Sequence, residues 1–217
     1  MDYHNLQYSE WFINQKRIPD KESEEHKEFF DFHKEVCMNG CTLDGVYINP
    51  FLYWHLNFWH TEVDVIDEYG RINQKYANPL LRDNEWLVTN EIDRAHKEKK
   101  GLVILGIRRF AKSVIEASYI GHGATFDENS QNIIAGLNAP DIKLITDKID
   151  KGLNFLPPEW RWQRVEDNWK NQVTLGIKTK SGTRIPFSQI LIRNLDGGNN
   201  EEAIAGTKPR RLIIDEI

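Results

Sequence analysis

The chain has 217 residues, 40% hydrophobic, 11% aromatic and 28% charged, with a formal net charge of −5. That composition is globular and excludes disordered and collagen-like chains, and no apolar run approaches the roughly 20 residues of a membrane helix. Two cysteines cannot form a disulfide framework, which points to a reducing compartment, and the polar, acidic segment after Met1 does not read as a signal peptide.

Charge is unevenly spread. The first hundred residues carry 12 basic and 19 acidic groups, and the remaining 117 carry 16 and 14. An acidic chain is a poor DNA binder by charge alone. The basic residues of the second part nevertheless gather beside two apolar runs, as Arg108, Arg109 and Lys112 and as Lys208, Arg210 and Arg211.

In chain order, the spacing predicts an amphipathic helix over Lys21 to Val36, with Phe29, Phe30, Phe32 and Val36 facing inward. Asn39-Gly40 and Asp44-Gly45 are turn signals. The stretch Val46 to Trp59 is dense in aromatic residues, which suits core and also a base-stacking platform. A polar turn spans Asp67 to Asn73. A helix is expected over Asn84 to Lys100, stopped by Gly101. Short apolar runs then alternate with helical stretches. Strands are expected at Leu102–Leu105 and Asn132–Ala135, and helices at Lys112–Gly121 and Asp141–Lys151. Pro157-Pro158 breaks the chain, and Val173–Lys178 and Arg184–Ile192 read as strands flanking Ser181-Gly182. This alternation predicts an α/β fold whose largely parallel sheet is flanked by helices. Residues 1–78 are expected to form an aromatic-rich, helical, lid-like subdomain, and residues 79–217 the α/β domain.

Two motifs carry chemistry. The segment Gly106-Ile107-Arg108-Arg109-Phe110-Ala111-Lys112-Ser113 matches a phosphate-binding loop, except that Ala111 stands where the second glycine belongs. A loop between strand and helix points backbone N–H groups and a helix N-terminus at phosphates. Lys112 would reach the β- and γ-phosphates, and the Ser113 hydroxyl would ligate Mg²⁺. Glycine tolerates a left-handed backbone there more easily than alanine. The second motif is Arg211-Leu-Ile-Ile-Asp215-Glu216, apolar residues ending in adjacent carboxylates, a Walker B pattern. Asp215 would hold Mg²⁺ through its waters and Glu216 would be the general base.

In these segments the chain resembles the large terminase subunit of tailed bacteriophages, in its N-terminal ATPase domain. Terminase loops commonly carry an arginine four residues before the lysine, the place of Arg108. The approach Ala203-Ile-Ala-Gly206 and Lys208-Pro-Arg-Arg-Leu-Ile-Ile-Asp-Glu216 is similar to the terminase run into Walker B, and Tyr53 to Trp59 with Pro79 to Trp86 is similar to terminase N-terminal regions. The resemblance implies an additional-strand, catalytic-glutamate P-loop ATPase that binds ATP and Mg²⁺ and drives double-stranded viral DNA into a procapsid. It implies a ring on the portal protein, with the small terminase subunit as a further partner, in the host cytoplasm. Arg108, then Arg109, is the candidate for stabilising the transition state, with pairing to surface acids as the other role. Arg82 and Trp86 would lie near the adenine, or serve only helix start and packing. Since Ile217 stands on the Walker B strand itself, the resemblance implies an incomplete fold, with the inserted strand, coupling motif and nuclease domain beyond it. The rival readings are a non-catalytic nucleotide-binding or assembly module and another P-loop ATPase such as a helicase.

Other constellations read as structural. His33, Cys37 and Cys41 fall at i, i+4 and i+8, but Asn39-Gly40 interrupts the helix and a zinc site wants four ligands, so buried thiols are expected. His55 and His60 have no carboxylate or serine placed for a triad. Arg161 and Arg164, like Lys178, Lys180 and Arg184, fit either a solvated surface or contact with DNA.

Overall fold

The computed structural model describes residues 18–43, 45–105, 111–195 and 207–215. The chain divides into two compact units, residues 1–115 and 116–217.

In the first unit, α1 (Glu24–Asn39) begins where the Ser23 side chain accepts from the His26 N–H at 3.2 Å, with Glu24 and Glu25 in the first turn favoured by the helix dipole. It buries Phe30, His33, Val36 and Cys37. Phe32, expected inside, is 46% exposed, because it falls off that stripe. Gly40 ends the helix at φ 77°, and a Cβ there would lie 2.6 Å from the Ile48 carbonyl. The hairpin β1 (Cys41–Leu43) and β2 (Val46–Ile48) follows. Asn49 then caps α2 (Pro50–Asn57): its Oδ1 accepts from the Leu52 N–H at 2.7 Å. Every residue of α2 from Phe51 to Asn57 is buried. From Phe51 to Trp59 the aromatic stretch is therefore core, while Tyr47 is 39% exposed and carries Lys97 Nζ 4.5 Å over its ring. A second hairpin, β3 (Thr61–Ile66) and β4 (Ile72–Ala77), turns on Asp67, whose carboxylate accepts from the Tyr69 and Arg71 N–H groups at 2.9 Å. These bonds hold the Asp67 carboxyl below its usual range. Next comes α3 (Asp83–Glu98), which ends at a left-handed Lys99, two residues before the predicted Gly101. The Asn49 side chain also reaches α3, donating to Thr89 Oγ1 at 3.5 Å and Asn90 Oδ1 at 3.3 Å.

The predicted buried strand Leu102–Leu105 is irregular, with Val103 84% and Leu105 93% exposed. A strand persists only where a neighbour takes its backbone hydrogen bonds, and none of the described strands pairs with this run.

Helix α4 (Lys112–Phe126) starts at the end of the first unit and runs into the second, a mixed α/β layer. There follow β5 (Ser130–Gly136), α5 (Ala139–Phe155), a one-turn 3-10 helix (Pro158–Trp160), β6 (Gln163–Asn168), β7 (Gln172–Lys178), β8 (Arg184–Asn194) and β9 (Arg211–Asp215). The sheet order is β6-β7-β8-β5-β9. Strands β8, β5 and β9 are parallel, with Ser130 opposite Ser188 and Asn132 opposite Arg211; β6-β7 and β7-β8 are antiparallel. The sheet is therefore mixed, not largely parallel, because short turns link β6, β7 and β8 and a tight turn can join only antiparallel strands. Ile133, Ile134 and Ala135 of β5 are wholly buried, and α5 covers the sheet with Ile142, Ile145, Ile149 and Leu153. No described helix is long and apolar enough to cross a membrane.

Candidate nucleotide site

Gly106, Ile107, Arg108, Arg109 and Phe110 lie outside the described residues, as does Glu216. What is described begins at Ala111, at φ 62°, in the left-handed region. Its carbonyl accepts from the Val114 and Ile115 N–H groups at 3.0 and 3.1 Å and so opens α4. Lys112 and Ser113 form the first turn of that helix, both half-buried. A left-handed alanine costs roughly 1–2 kcal/mol against a right-handed one. The position therefore has the backbone demand that glycine meets without cost, at the place where the loop pattern has its glycine. Outliers of this kind cluster at ligand clamps and active sites, and the first N–H groups of a helix suit phosphate oxygens.

The described part of the second motif runs to Asp215, the last residue of β9, buried opposite Gly136 of β5. Strand β9 is fastened at its other end by Arg211, 5% exposed. The Arg211 guanidinium donates to the Tyr119 carbonyl at 2.5 Å, to His122 Nδ1 at 2.6 Å and to Asp127 Oδ2 at 3.1–3.2 Å, and lies 4.4 Å over the Tyr119 ring. Because a guanidinium only donates, His122 Nδ1 accepts and carries no proton. Gly123 makes room: a Cβ there would stand 2.5 Å from Arg211 Nε. Burial pulls the Arg211 pKa below its ordinary value, and Asp127 opposes that. Sequence reasoning grouped Arg211 with Lys208 and Arg210. The structure separates them, for those two are exposed. The available signal was strand alternation, which sends Arg211, Ile213 and Asp215 to one face.

Arg82 and Trp86 stand one turn apart at the start of α3, where Arg82 is the exposed N-cap residue and its carbonyl accepts from the Trp86 N–H at 3.0 Å. Between them is Glu85, which sequence reasoning missed. It is 3% exposed, and its carboxyl pKa is raised by burial, with Arg82 as the main opposing charge. An acid in the first turn of a helix looked like ordinary dipole chemistry.

Ser113 in the first unit and Asp215 in the second each carry a hard oxygen of the chemical kind that Mg²⁺ takes alongside phosphates and water. Among the described residues no group of three His, Cys, Asp or Glu is placed to hold a metal. Cys37 and Cys41 are free thiols whose pKa values are raised by burial, and His33 Nδ1 lies 2.6 Å from the Tyr53 hydroxyl. Compared with known proteins, the chain matches no family model, and no curated protein matches it.

Proposed function

We propose that the chain is the nucleotide-binding part of an ATP-hydrolysing motor of the terminase type, which moves double-stranded viral DNA into a procapsid. The observation that carries this reading is the left-handed Ala111 leading directly into a helix that starts Lys112-Ser113. The strand that ends on buried Asp215 adds to it. Lys112 binds the β- and γ-phosphates, Ser113 and Asp215 serve Mg²⁺, Glu216 activates water, and Arg108 or Arg109 offsets charge in the transition state. Arg82 and Trp86 contact the adenine. The partners are duplex DNA, the portal protein and the small terminase subunit, in a ring in the host cytoplasm.

The test is equilibrium binding of a fluorescent ATP analogue with Mg²⁺, followed by ATP turnover with and without duplex DNA. Lys112→Ala should abolish binding, and Glu216→Gln should retain binding while lowering turnover about 10²–10⁴-fold. Unchanged affinity in Lys112→Ala would refute the phosphate-loop assignment. A second reading, a binding module without hydrolysis, is favoured by alanine standing at a glycine position. It expects nucleotide binding with no turnover in either protein.

A further inference from the structure

We propose that the end of the five-stranded sheet opposite Asp215 docks the phosphate backbone of duplex DNA. Sheet register gathers there cations that are far apart in sequence. Lys178 pairs across from Arg184 at the mouth of the β7-β8 hairpin, and Lys180 lies on its turn. Lys208 and Arg210 lead into β9 at the same end, with the Arg210 N–H bonded to the Gln131 carbonyl. All five are exposed, and none is in an ion pair with another described residue. Elsewhere Arg71, Arg94, Lys97 and Arg164 are each paired with a carboxylate. Among the described residues the acids that line the surface beside Lys208 and Arg210 are Asp127 and Glu128, and Asp127 is engaged by Arg211. Among the described residues the five cations outnumber them.

Shape agrees with charge. An open cleft of about 790 Å³ lies at the starts of β5 and β8, lined by Lys208 and Arg210 together with Asp127 and Glu128, and Asn129 and Gln189 offer amide donors there. Amide, hydroxyl and cationic donors are the groups that bind phosphate oxygens without reading sequence. Each aromatic ring in the cleft already has a ring partner. Phe187 stacks on Trp162 at 4.1 Å and 18°, and Phe126 packs edge-on against Trp160 at 5.4 Å. Single-strand binding relies on open aromatic faces, so the surface suits the outside of a duplex. From Arg184 to Arg210 the register gives about 20 Å, at about 3.3 Å per residue and 4.8 Å per strand. Over that length a duplex presents about a dozen charges. The inference rests on the proposed function only for the choice of DNA over RNA; the nucleotide site is not involved.

The test is fluorescence anisotropy of a labelled DNA duplex titrated with the full chain across a salt series. Five neutralised phosphates give a slope of log K against log salt near −4.5, about a 500-fold loss between about 50 and 200 mM salt. Lys208→Ala with Arg210→Ala should bring the slope to about −2.7, and Lys178→Ala with Lys180→Ala and Arg184→Ala to about −1.8. These side chains are exposed, so thermal melts should be unchanged and will show that each variant is folded. An unchanged slope in both variants would overturn the proposal. So would a single strand of the same sequence binding as tightly, or polyglutamate displacing the duplex at equal charge, which would mark a site for acidic protein. Lys112→Ala separates the two assignments: it should lose nucleotide and leave the salt slope for DNA unchanged.

Discussion

Removing the Arg211 side chain tests how β9 is held. In Arg211→Ala the Asp127 carboxylate loses its partner, and the Tyr119 carbonyl and His122 Nδ1 lose donors at 2.5 and 2.6 Å. Breaking one side of a buried ion pair costs about 3–5 kcal/mol. The Asp127 side chain is 22% exposed and keeps some water, which places the estimate near the lower end, about 3 kcal/mol. For a unit of about 100 residues each kcal/mol moves the melting midpoint by about 4–8 °C, so the second unit should melt about 12–24 °C lower. The assay is thermal unfolding followed by near-ultraviolet circular dichroism, with hydrogen exchange at β9 read by mass spectrometry. Exchange should rise first over residues 211–215. Gly123→Val provides an independent arm, because its added carbons would meet Arg211 Nε from 2.5 Å away and displace the guanidinium without removing it. A loss below about 1 kcal/mol in Arg211→Ala, the scale of an exposed pair, would refute this account of the anchor.

Two further predictions follow from single residues. Ala111→Gly removes the left-handed penalty but adds freedom to the unfolded chain, for a net gain of about 0–1 kcal/mol in a urea titration; a clear loss of stability would count against the left-handed backbone at this position. His55, buried with neither ring nitrogen hydrogen-bonded, has its pKa pulled by burial to about 3 from an ordinary 6.5. Its folded value lies below the unfolded one, so the unfolded chain binds the extra proton. The stability is full above about pH 6.5 and falls at about 1.4 kcal/mol per unit as pH drops towards 3. Urea titrations at pH 7 and 5 should show this slope flattened in His55→Leu, and an unchanged slope would mean that another group titrates.

The helices were largely legible because their signals are local. The apolar spacing over Lys21 to Val36 marks α1, whose start falls three residues later at Glu24 behind the Ser23 cap, the Asn39-Gly40 turn signal closes it, and the expected helix Asp141–Lys151 lies within α5. Strand β6 was missed because Gln163-Arg-Val-Glu-Asp-Asn168 buries only Val165, so its membership of the sheet comes from its partner β7 and not from its own pattern. The run Leu102–Leu105 failed in the opposite sense, since four apolar residues imitate a buried strand but supply no neighbour to bond. At the site, the helix opening at Lys112 and the strand ending on Asp215 were both readable. The Arg211 network was not. It joins residues up to 92 positions apart, and only the fold brings the Tyr119 carbonyl to that side chain.

The complete burial of α2 governs how substitutions there should be tolerated. A saturation scan across α5 should give a wave with a period near 3.6, tolerant on the solvent side and intolerant on the sheet side. Across residues 51–57 the same scan should give a flat, intolerant band, because each direction around that helix meets packed side chains. Hydropathy profiles see such a segment as a short apolar run and cannot tell its winding from an extended chain. Its helical turn is instead set from outside by Asn49, which caps α2 and holds α3 with one amide, so a substitution at Asn49 should disturb more of this unit than any single exchange on the outer face of α1.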